Sequence, residues 1–273
     1  MRVVVVTTTD DPWAGMFWGA YYRAGGIPPA AVFFLRPRRK TAWWKTVVEG
    51  LLLFGPLGSV SSWVSSRRTR QVLERTPELI FAGATGFHRV GTLNRGQGLQ
   101  ALERAAPHLL VSVGSPEIFK APVLRTAAVG AVNVHNGRLP AYRGLFGSFW
   151  EAFEGEEWGY ASIHVMETEI DAGPILAQGA VRLADRSLVD VLAAKKMLGG
   201  RLLAWLVRYV DKEGGFPPPC PYHAGDSPGY HSWPSLHDMS VLRLKKLRRR
   251  IKRSADMDPP GDTWPAGMAL GDK

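Results

Sequence analysis

Cysteine is almost absent from the sequence, and its N-terminal end lacks a long apolar run. With Cys220 as the one cysteine in 273 residues, neither an internal disulfide nor a cysteine-based metal cluster can form, and we expect no metal site. Cys220 lies in a proline-rich run with no adjacent base, which argues against a catalytic thiol. The first apolar run, residues 3–7, is too short for a signal-peptide core and predicts a buried strand. The expected location is the cytoplasm, with or without peripheral association with a membrane.

Acidic residues are also scarce relative to basic ones. The sequence has 24 Asp and Glu against 34 Lys and Arg, for a formal net charge of +10. Such an excess favours an anionic partner, such as a phosphorylated metabolite or an acidic membrane surface, although solvated basic faces are equally compatible with it. The positive charges are concentrated in residues 36–45, 67–70 and 243–253. A nucleic-acid partner is not our expectation.

Short apolar runs alternate with amphipathic segments along most of the chain. This alternation predicts an α/β fold with a Rossmann-like, mostly parallel sheet and helices on both faces. No Gly-x-Gly-x-x-Gly follows the first strand, so a dinucleotide site is not supported. Ligands of such folds bind at the carboxyl ends of the strands. The predicted strands are 3–7, 31–35, 79–82, 109–113, 129–134, 162–166 and 175–183, and the predicted helices are 16–24, 99–106, 117–125, 187–210 and 236–252.

Two segments do not follow this alternation. Residues 36–70 combine a basic aromatic block with an apolar run, which predicts a helical insertion of one or two helices. The insertion either packs on the domain or rests on a membrane interface; Glu49 and the Gly55-Pro56 pair argue against a complete span. The expected domains are a catalytic unit, 1–213, and a Pro-rich, basic extension, 214–273, with a disordered end.

The most informative stretch follows the apolar run at 129–134. Asn133 and His135 are two residues apart, so on a strand both side chains point to the same face. An amide and an imidazole placed together can polarise a carbonyl group and move a proton. A polar strand end with capped turns accounts for this pair equally well, so the rest of the chain must decide between the two interpretations.

Three blocks together decide in favour of a reactive site. They are Ser112-Val113-Gly114-Ser115-Pro116-Glu117-Ile118, then Asn133-Val134-His135 followed by Leu139-Pro140-Ala141-Tyr142-Arg143-Gly144, and Glu169-Ile170-Asp171-Ala172-Gly173-Pro174-Ile175-Leu176. Their order and spacing, continuous over residues 109–181, resemble the folate-dependent formyltransferases. This family includes the glycinamide ribonucleotide, methionyl-tRNA and sugar N-formyltransferases.

The resemblance implies roles for three residues. Asn133 would donate a hydrogen bond to the formyl oxygen, and His135 would add a second donor and move the proton. Asp171 would orient His135 and help to accept the proton of the attacking amine. Because a neighbouring carboxylate favours the imidazolium, we expect the pKa of His135 to be raised.

The same resemblance implies 10-formyltetrahydrofolate as formyl donor and a small-molecule amine, with or without a phosphate group, as acceptor. Ile118 and Phe119 would be apolar walls of the pterin site, His164 either a pocket wall or a packed strand residue, and Arg143 either a phosphate ligand or part of a structural salt bridge. The implied donor-binding residues are Gly114, Ser115, Pro116, Glu117, Ile118, Phe119, His164, Met166, Thr168, Glu169 and Ile170. The implied acceptor-binding residues are Thr8, Thr9, Asp10, Asn136, Gly137 and Arg143.

The sequence departs from the family pattern in three places. Asn136-Gly137 stands where the family often has Pro-Ser, the phosphate-binding loop of glycinamide ribonucleotide formyltransferase is missing after the first strand, and the C-terminal barrel of methionyl-tRNA formyltransferase is not apparent. The leading hypothesis is therefore N-formylation of a small amine, for example a nucleotide-linked amino sugar. The alternatives are a 10-formyltetrahydrofolate hydrolase, or a non-catalytic module that binds membrane or RNA through 36–70 or 241–253.

Overall fold

Buried β-branched runs form the centre of a seven-stranded sheet. The computed structural model describes residues 1–36, 42–183, 186–223 and 225–251, with side chains described up to 245. The strands are β1 (Val3–Thr8), β2 (Ala31–Leu35), β3 (Gly86–Val90), β4 (Leu109–Val113), β5 (Gly130–His135), β6 (Arg143–Gly144), β7 (Trp158–Val165), β8 (Ile175–Arg182) and β9 (Tyr230–His231). The helices are α1 (Ala14–Arg23), α2 (Trp43–Arg75), α3 (Gly96–Ala105), α4 (Ala121–Leu124), α5 (Gly147–Glu154), α6 (Leu188–Glu213) and α7 (Leu236–Ile251).

The strand order β3-β2-β1-β4-β5-β7-β8 confirms the predicted α/β class. The first five strands of this order are parallel, whereas β7 and β8 run antiparallel to their neighbours. The strands β1, β2 and β4 are buried along nearly their whole length, as expected for parallel strands covered on both faces. A separate two-stranded ladder joins β6 to β9.

Helices α1 and α6 cover one face of the sheet at very close range. A methyl group built on Gly200 of α6 would lie 2.3 Å from the carbonyl oxygen of Phe17 in α1, so only glycine permits this helix crossing. The side chains of Val132 and Val134 in β5 point into this apolar layer. Because side chains alternate along a strand, Asn133 and His135 point to the opposite face.

The third strand was predicted in the wrong place. Residues 79–82 comprise the end of a short 3₁₀ helix, Pro77–Leu79, and the turn that follows it. The third strand is instead β3, which lies in a segment that the sequence predicted as loop. Phe81 accounts for the error, because its apolar side chain is fully buried against Trp18 and Phe34 from a turn. An edge strand such as β3 tolerates polar residues and so lacks an apolar signature. The predicted helix 117–125 is likewise reduced to the four residues of α4.

The predicted insertion contains a helical hairpin, not one continuous rod. Gly55 has φ 72° and ψ 177°, which interrupts α2 before Pro56. A methyl group built on Gly50 would lie 3.4 Å from the Oγ of Ser59, whereas nine residues of straight helix span about 13 Å. The arms 43–54 and 56–75 therefore fold back on each other. Among the described helices, α2 alone has the length and composition of a membrane span, with 6% of its most apolar window buried.

The extension after α6 packs back onto the rest of the fold. Cys220 donates its backbone N–H to the carbonyl of Ile175 at 2.7 Å, and Trp233 stacks on Phe146 with ring centroids 5.0 Å apart. Helix α7 packs against α2 and α5. The predicted disordered end, the last twenty residues, lies outside the described residues, as do Arg38, Arg39 and Lys40 of the basic block.

The crossing of α1 and α6 gives a first prediction. We expect Gly200→Ala to lower the free energy of unfolding by about 1–3 kcal/mol, because the new methyl group meets backbone that cannot rotate away. Gly15→Ala is the matched control, since its methyl group meets nothing within 4 Å and the substitution should be neutral or stabilising. Urea denaturation measures both, and equal midpoints for the two variants would contradict the prediction.

Candidate active site

Four polar side chains meet on the exposed end of the β5–β7 pair. Asn133 lies opposite His164 in the antiparallel register of the two strands, and its Nδ2 lies 3.2 Å from the Nε2 of His164. The carboxylate of Asp171 lies between the two imidazoles, with Oδ2 3.5 Å from the Nδ1 of His135 and Oδ1 3.3 Å from the Nε2 of His164. The structure thus brings together the three predicted catalytic residues and adds His164 to them.

The loop that carries Asp171 follows β7, the strand antiparallel to β5, and must fold back to reach the cluster. Because β7 is antiparallel to β5, its carboxyl end lies beside the start of β5, where Met166 donates its N–H to Ala131 O at 2.8 Å. The loop then folds back over the sheet. Asp171 adopts a left-handed conformation, with φ 49°, which aspartate tolerates better than most residues.

Asp171 is held as a carboxylate. The backbone N–H of Gly144 donates to its Oδ2 at 2.9 Å. Burial alone would raise the pKa of Asp171, but its contacts with His164 and His135 and the Gly144 N–H together lower that pKa to about 2. The group is therefore negatively charged throughout the neutral range.

The two imidazole rings are fixed by backbone carbonyls. The Nε2 of His135 lies 2.7 Å from Tyr142 O and the Nδ1 of His164 lies 2.9 Å from Val165 O. A carbonyl oxygen can only accept, so each of these nitrogens carries a proton. The remaining nitrogen of each ring, the Nδ1 of His135 and the Nε2 of His164, faces Asp171. The cluster therefore offers a position between the carboxylate and each ring where a proton can be held.

The pKa of His135 is lowered, contrary to the expectation from sequence. Burial of the ring is the largest influence and outweighs the favourable charge of Asp171, and the nearby His164 and Lys195 lower the pKa further. The side chain of His135 is only 8% exposed. At neutral pH the ring is uncharged, so it can receive a proton.

A buried ion pair that the sequence did not reveal supports the turn after β5. Lys195 of α6 and Glu151 of α5 lie 2.6 Å apart with both side chains fully buried. Lys195 donates to Asn136 O at 3.2 Å, and Glu151 accepts the N–H of Arg138 at 2.8 Å and of Tyr160 at 3.0 Å. Burial raises the pKa of Glu151 and lowers that of Lys195, and their contact opposes both shifts. Lysine and glutamate are almost never fully buried unless they are paired, so their residue types gave no reason to expect this ion pair in the core.

Gly137 fits this turn because there is no room for a larger residue. A methyl group on Gly137 would lie 2.9 Å from the Nε2 of His135 and 3.1 Å from Tyr142 O, the two atoms of the hydrogen bond that fixes the ring. Ser162 donates to Gly137 O at 2.7 Å. The predicted acceptor-side pair, Asn136 and Gly137, is therefore in contact with the machinery that orients His135.

The predicted donor loop after β4 splits into inward and outward residues. Glu117 is turned inward, where its carboxylate accepts hydrogen bonds from the Oγ1 of Thr92 at 2.5 Å and from the backbone N–H of Leu93 at 2.8 Å. Phe119 is 2% exposed and packs in the core, so its predicted role as a pocket wall is wrong. Ile118 is 59% exposed and remains available as a wall. The loop also contains Gly114, Ser115 and Pro116, which are exposed or half-buried.

A cavity of about 430 Å³ opens beside the cluster. In this cavity the Nη1 of Arg143 lies 2.7 Å from the Oε1 of Glu169. The structure thus shows Arg143 in a salt bridge, which was one of the two roles expected for it. The Nε of Arg143 is buried without a partner among the described residues. Its lining combines Thr168, Glu169 and Ile170, which were predicted on the donor side, with Arg143, which was predicted on the acceptor side. The other lining residues are Pro228, Gly229 and Tyr230 of the extension, which no sequence pattern assigned to the site.

The loop after β1, which contains Thr8, Thr9 and Asp10, lies at the carboxyl edge of the sheet under the second arm of α2. Asp10 pairs with Arg70 at 2.6 Å, and Ser65 donates to Pro12 O at 2.9 Å. Asp11 forms an ion pair with Lys196 of α6. A methyl group on Gly114 would lie 4.0 Å from Asp11, so this loop is adjacent to the donor loop.

Part of the chain matches a known family. Residues 69–198 match the family model described as formyl transferase. The chain is 37% identical over 90 residues to a methionyl-tRNA formyltransferase of Levilactobacillus brevis, covering 33% of this chain and 29% of the relative. It is 32% identical over 140 residues to that of Acidithiobacillus ferrooxidans, covering 50% and 44%. The chain thus spans less than half the length of either curated relative.

Solved structures share the fold over a longer stretch. A sugar N-formyltransferase from a Shewanella species has a TM-score of 0.53 at 15% identity, covering 89% of this chain and 87% of that one. A phosphoribosylglycinamide formyltransferase from Bacillus halodurans has a TM-score of 0.52 at 16% identity, covering 78% and 97%. At these identities the likeness concerns the fold.

The buried pair gives a stability prediction. Glu151→Gln should lower the free energy of unfolding by about 3–5 kcal/mol, because it leaves the Lys195 ammonium buried without its charge partner. The double variant Glu151→Gln, Lys195→Met should recover a large part of this loss, because no unpaired charge remains. A denaturation cycle over the two single variants and the double variant measures the coupling, and additive losses would contradict it.

The pKa of Asp171 gives a pH prediction. The pKa of Asp171 is about 2 in the folded protein, against an ordinary value of 3.8. Above roughly pH 4 this difference adds about 2 kcal/mol to the free energy of unfolding, and the contribution is lost as the pH falls toward 2. Asp171→Asn should therefore be less stable than the wild type at pH 6, and the difference should shrink in acid. Denaturation midpoints across this range test it, and a constant difference between the two proteins would contradict the assignment.

Proposed function

We propose that the chain moves a formyl group from 10-formyltetrahydrofolate to the amine of a small molecule, because residues 69–198 match the formyl transferase family model. The observation that carries this proposal is the cluster in which Asp171 faces the Nδ1 of His135 and the Nε2 of His164 beside the amide of Asn133. Attack of an amine on a formyl group needs a donor to the carbonyl oxygen and a place for the amine proton. The cluster offers both.

Asn133 provides the donor to the formyl oxygen. One N–H of its amide is directed to the Nε2 of His164, which leaves the second N–H of the same group free for a substrate oxygen. The hydrogen bond to His164 fixes the orientation of the amide before the substrate arrives. As negative charge develops on the formyl oxygen, this donor therefore needs no reorganisation.

The proton of the attacking amine goes to the vacant position between Asp171 and His135. The ring is neutral because burial lowers its pKa, and the Nε2–H bond to Tyr142 O leaves Nδ1 as the acceptor. A proton on Nδ1 converts a lone pair facing a carboxylate into an imidazolium–carboxylate pair at 3.5 Å. Because the groups interact strongly, the cluster as a whole takes up the proton. When the bond between the formyl carbon and the folate nitrogen breaks, the cluster would return this proton to the departing nitrogen.

The cavity beside the cluster fits the formyl donor. Its volume of about 430 Å³ lies within the usual range for small-molecule sites, roughly 300–1,000 Å³. Arg143 lines the cavity, so its guanidinium would serve as a hydrogen-bond donor to a bound group. Thr168, Glu169, Ile170 and the exposed Ile118 would hold the folate, which supplies the activated formyl group when bound.

The acceptor would enter from the side of Asn136, Gly137 and the loop after β1. A nucleotide-linked amino sugar is the proposed acceptor, supported by the sugar N-formyltransferase among the structures with this fold and by the basic character of the chain. Phosphoribosylglycinamide and methionyl-tRNA, named for other relatives, are the competing acceptors.

A formylation assay with 10-formyltetrahydrofolate and a panel of these three kinds of amine tests the proposal. Asn133→Ala, His135→Ala and Asp171→Asn should each lower kcat/KM by about 100-fold or more, because each removes a donor or a proton acceptor. His237→Ala, an exposed histidine on α7, should retain the wild-type rate.

Near-wild-type turnover in all three site variants would overturn the assignment. Formate release at the same rate with and without amine would identify hydrolysis of the formyl donor as the reaction, in place of transfer.

A further inference from the structure

The α2 hairpin carries a dense group of exposed apolar side chains. Of the sixteen large hydrophobic side chains that are exposed in the described chain, seven fall between residues 43 and 63. Leu57 is 88% exposed and Trp43 78%. The seven are Trp43, Trp44, Val47, Leu51, Leu57, Val60 and Trp63. Isolated exposed hydrophobics are ordinary on a protein surface, but a group of this density marks an interaction surface.

The exposed residues lie along the outer side of both arms. They recur every three or four residues, as a single helix face requires. The inner side of the hairpin is already occupied, since Leu52 and Leu53 pack with Phe149 and Met239 in a small core. The hairpin is thus apolar on two sides, and the fold explains only one of them. The outer stripe, defined by the seven residues above, is the surface that lacks a described partner.

Charge around the outer stripe is of one sign. Arg67 lies over the ring of Trp63 at 4.1 Å, and both Arg67 and Arg68 are exposed. Glu49 is the one acidic residue in the sequence between 43 and 73, and it is only 7% exposed. Tryptophan, aliphatic residues and arginine without exposed carboxylates form the combination that suits an anionic lipid surface.

A second copy of the chain fits this surface less well. In a symmetric pair the same patch meets itself, so the positive charges of Arg67 and Arg68 would approach their own copies without a carboxylate to pair with. Anionic lipid headgroups supply the missing negative charge.

The geometry of the hairpin decides how it would meet a bilayer. The first arm has 12 residues and the apolar part of the second ends before Arg67, so each apolar length is about 16–18 Å. The hydrocarbon core is about 30 Å thick. Because the arms also lie flat on α7 and the loop after β1, neither can cross it.

We propose that the outer stripe of α2 docks this protein on the surface of an anionic lipid bilayer, with its apolar side chains at the boundary between headgroups and acyl chains of one leaflet. The hairpin lies outside the segment that matches the formyl transferase family, 69–198, except for the end of its second arm. The proposal is independent of which reaction the site performs.

Sedimentation with lipid vesicles tests the proposal on the full chain. Vesicles of phosphatidylcholine mixed with phosphatidylglycerol should bind the wild type, and phosphatidylcholine alone should bind it far less. The double variant Leu57→Glu, Val60→Glu should bind the mixed vesicles about tenfold or more weakly, because it removes buried apolar area and adds repelled charge. Leu79→Glu is the matched control, since Leu79 is 73% exposed but lies outside the hairpin.

Three further measurements make the result decisive. Thermal melting should be unchanged in all variants, because the replaced side chains make few contacts within the fold, and Trp63→Ala should weaken vesicle binding without adding a charge. Equal vesicle binding by the wild type and the double variant would overturn the proposal, because binding would then not depend on the outer stripe. So would a wild-type dimer in light scattering that binds no vesicles and is dissociated by the double variant.

Discussion

The carboxylate of Asp171 is the contact on which the geometry of the site depends. It receives the N–H of Gly144 from β6 and faces His135 on β5 and His164 on β7. Three separate segments, β5, β6 and β7, therefore contact one charged group that is 11% exposed. Because burial disfavours both the carboxylate and a charged ring, each group depends on the other for its protonation state. A shift of the Asp171 loop would therefore change the positions of Asn133, His135 and the end of the β5 turn together.

The sequence could predict that Asn133 and His135 share one side of β5, because that follows from local geometry. The two-residue spacing of Asn133 and His135 determines their common face in any strand. The role of His164 could not be settled in the same way, since it depends on the register between β5 and β7, and β7 runs antiparallel. The tautomers of both rings depend on carbonyl groups whose positions are fixed only by tertiary structure.

The errors have a common physical origin in residues whose polarity does not reveal their burial. Phe81 is buried from a turn, so its segment resembled a strand, while β3 at the sheet edge did not. Glu117 is charged yet buried through bonds to Thr92 and Leu93, which no pattern of hydrophobicity predicts. The break at Gly55 could be read from the sequence, but the surface on which the hairpin rests comes from α7, far along the chain.

Lys195 has a chemical consequence for an enzyme whose acceptor is an amine. Its Nζ lies 3.2 Å from Asn136 O, within the turn that carries the proposed acceptor residues. An unprotonated amine at this position would be a competing nucleophile. As an ammonium group that donates to Asn136 O and Glu151, fully buried, it has no lone pair to offer. Under the proposed function, the ion pair that supports the turn would therefore also keep Lys195 from competing with the acceptor amine for the formyl group.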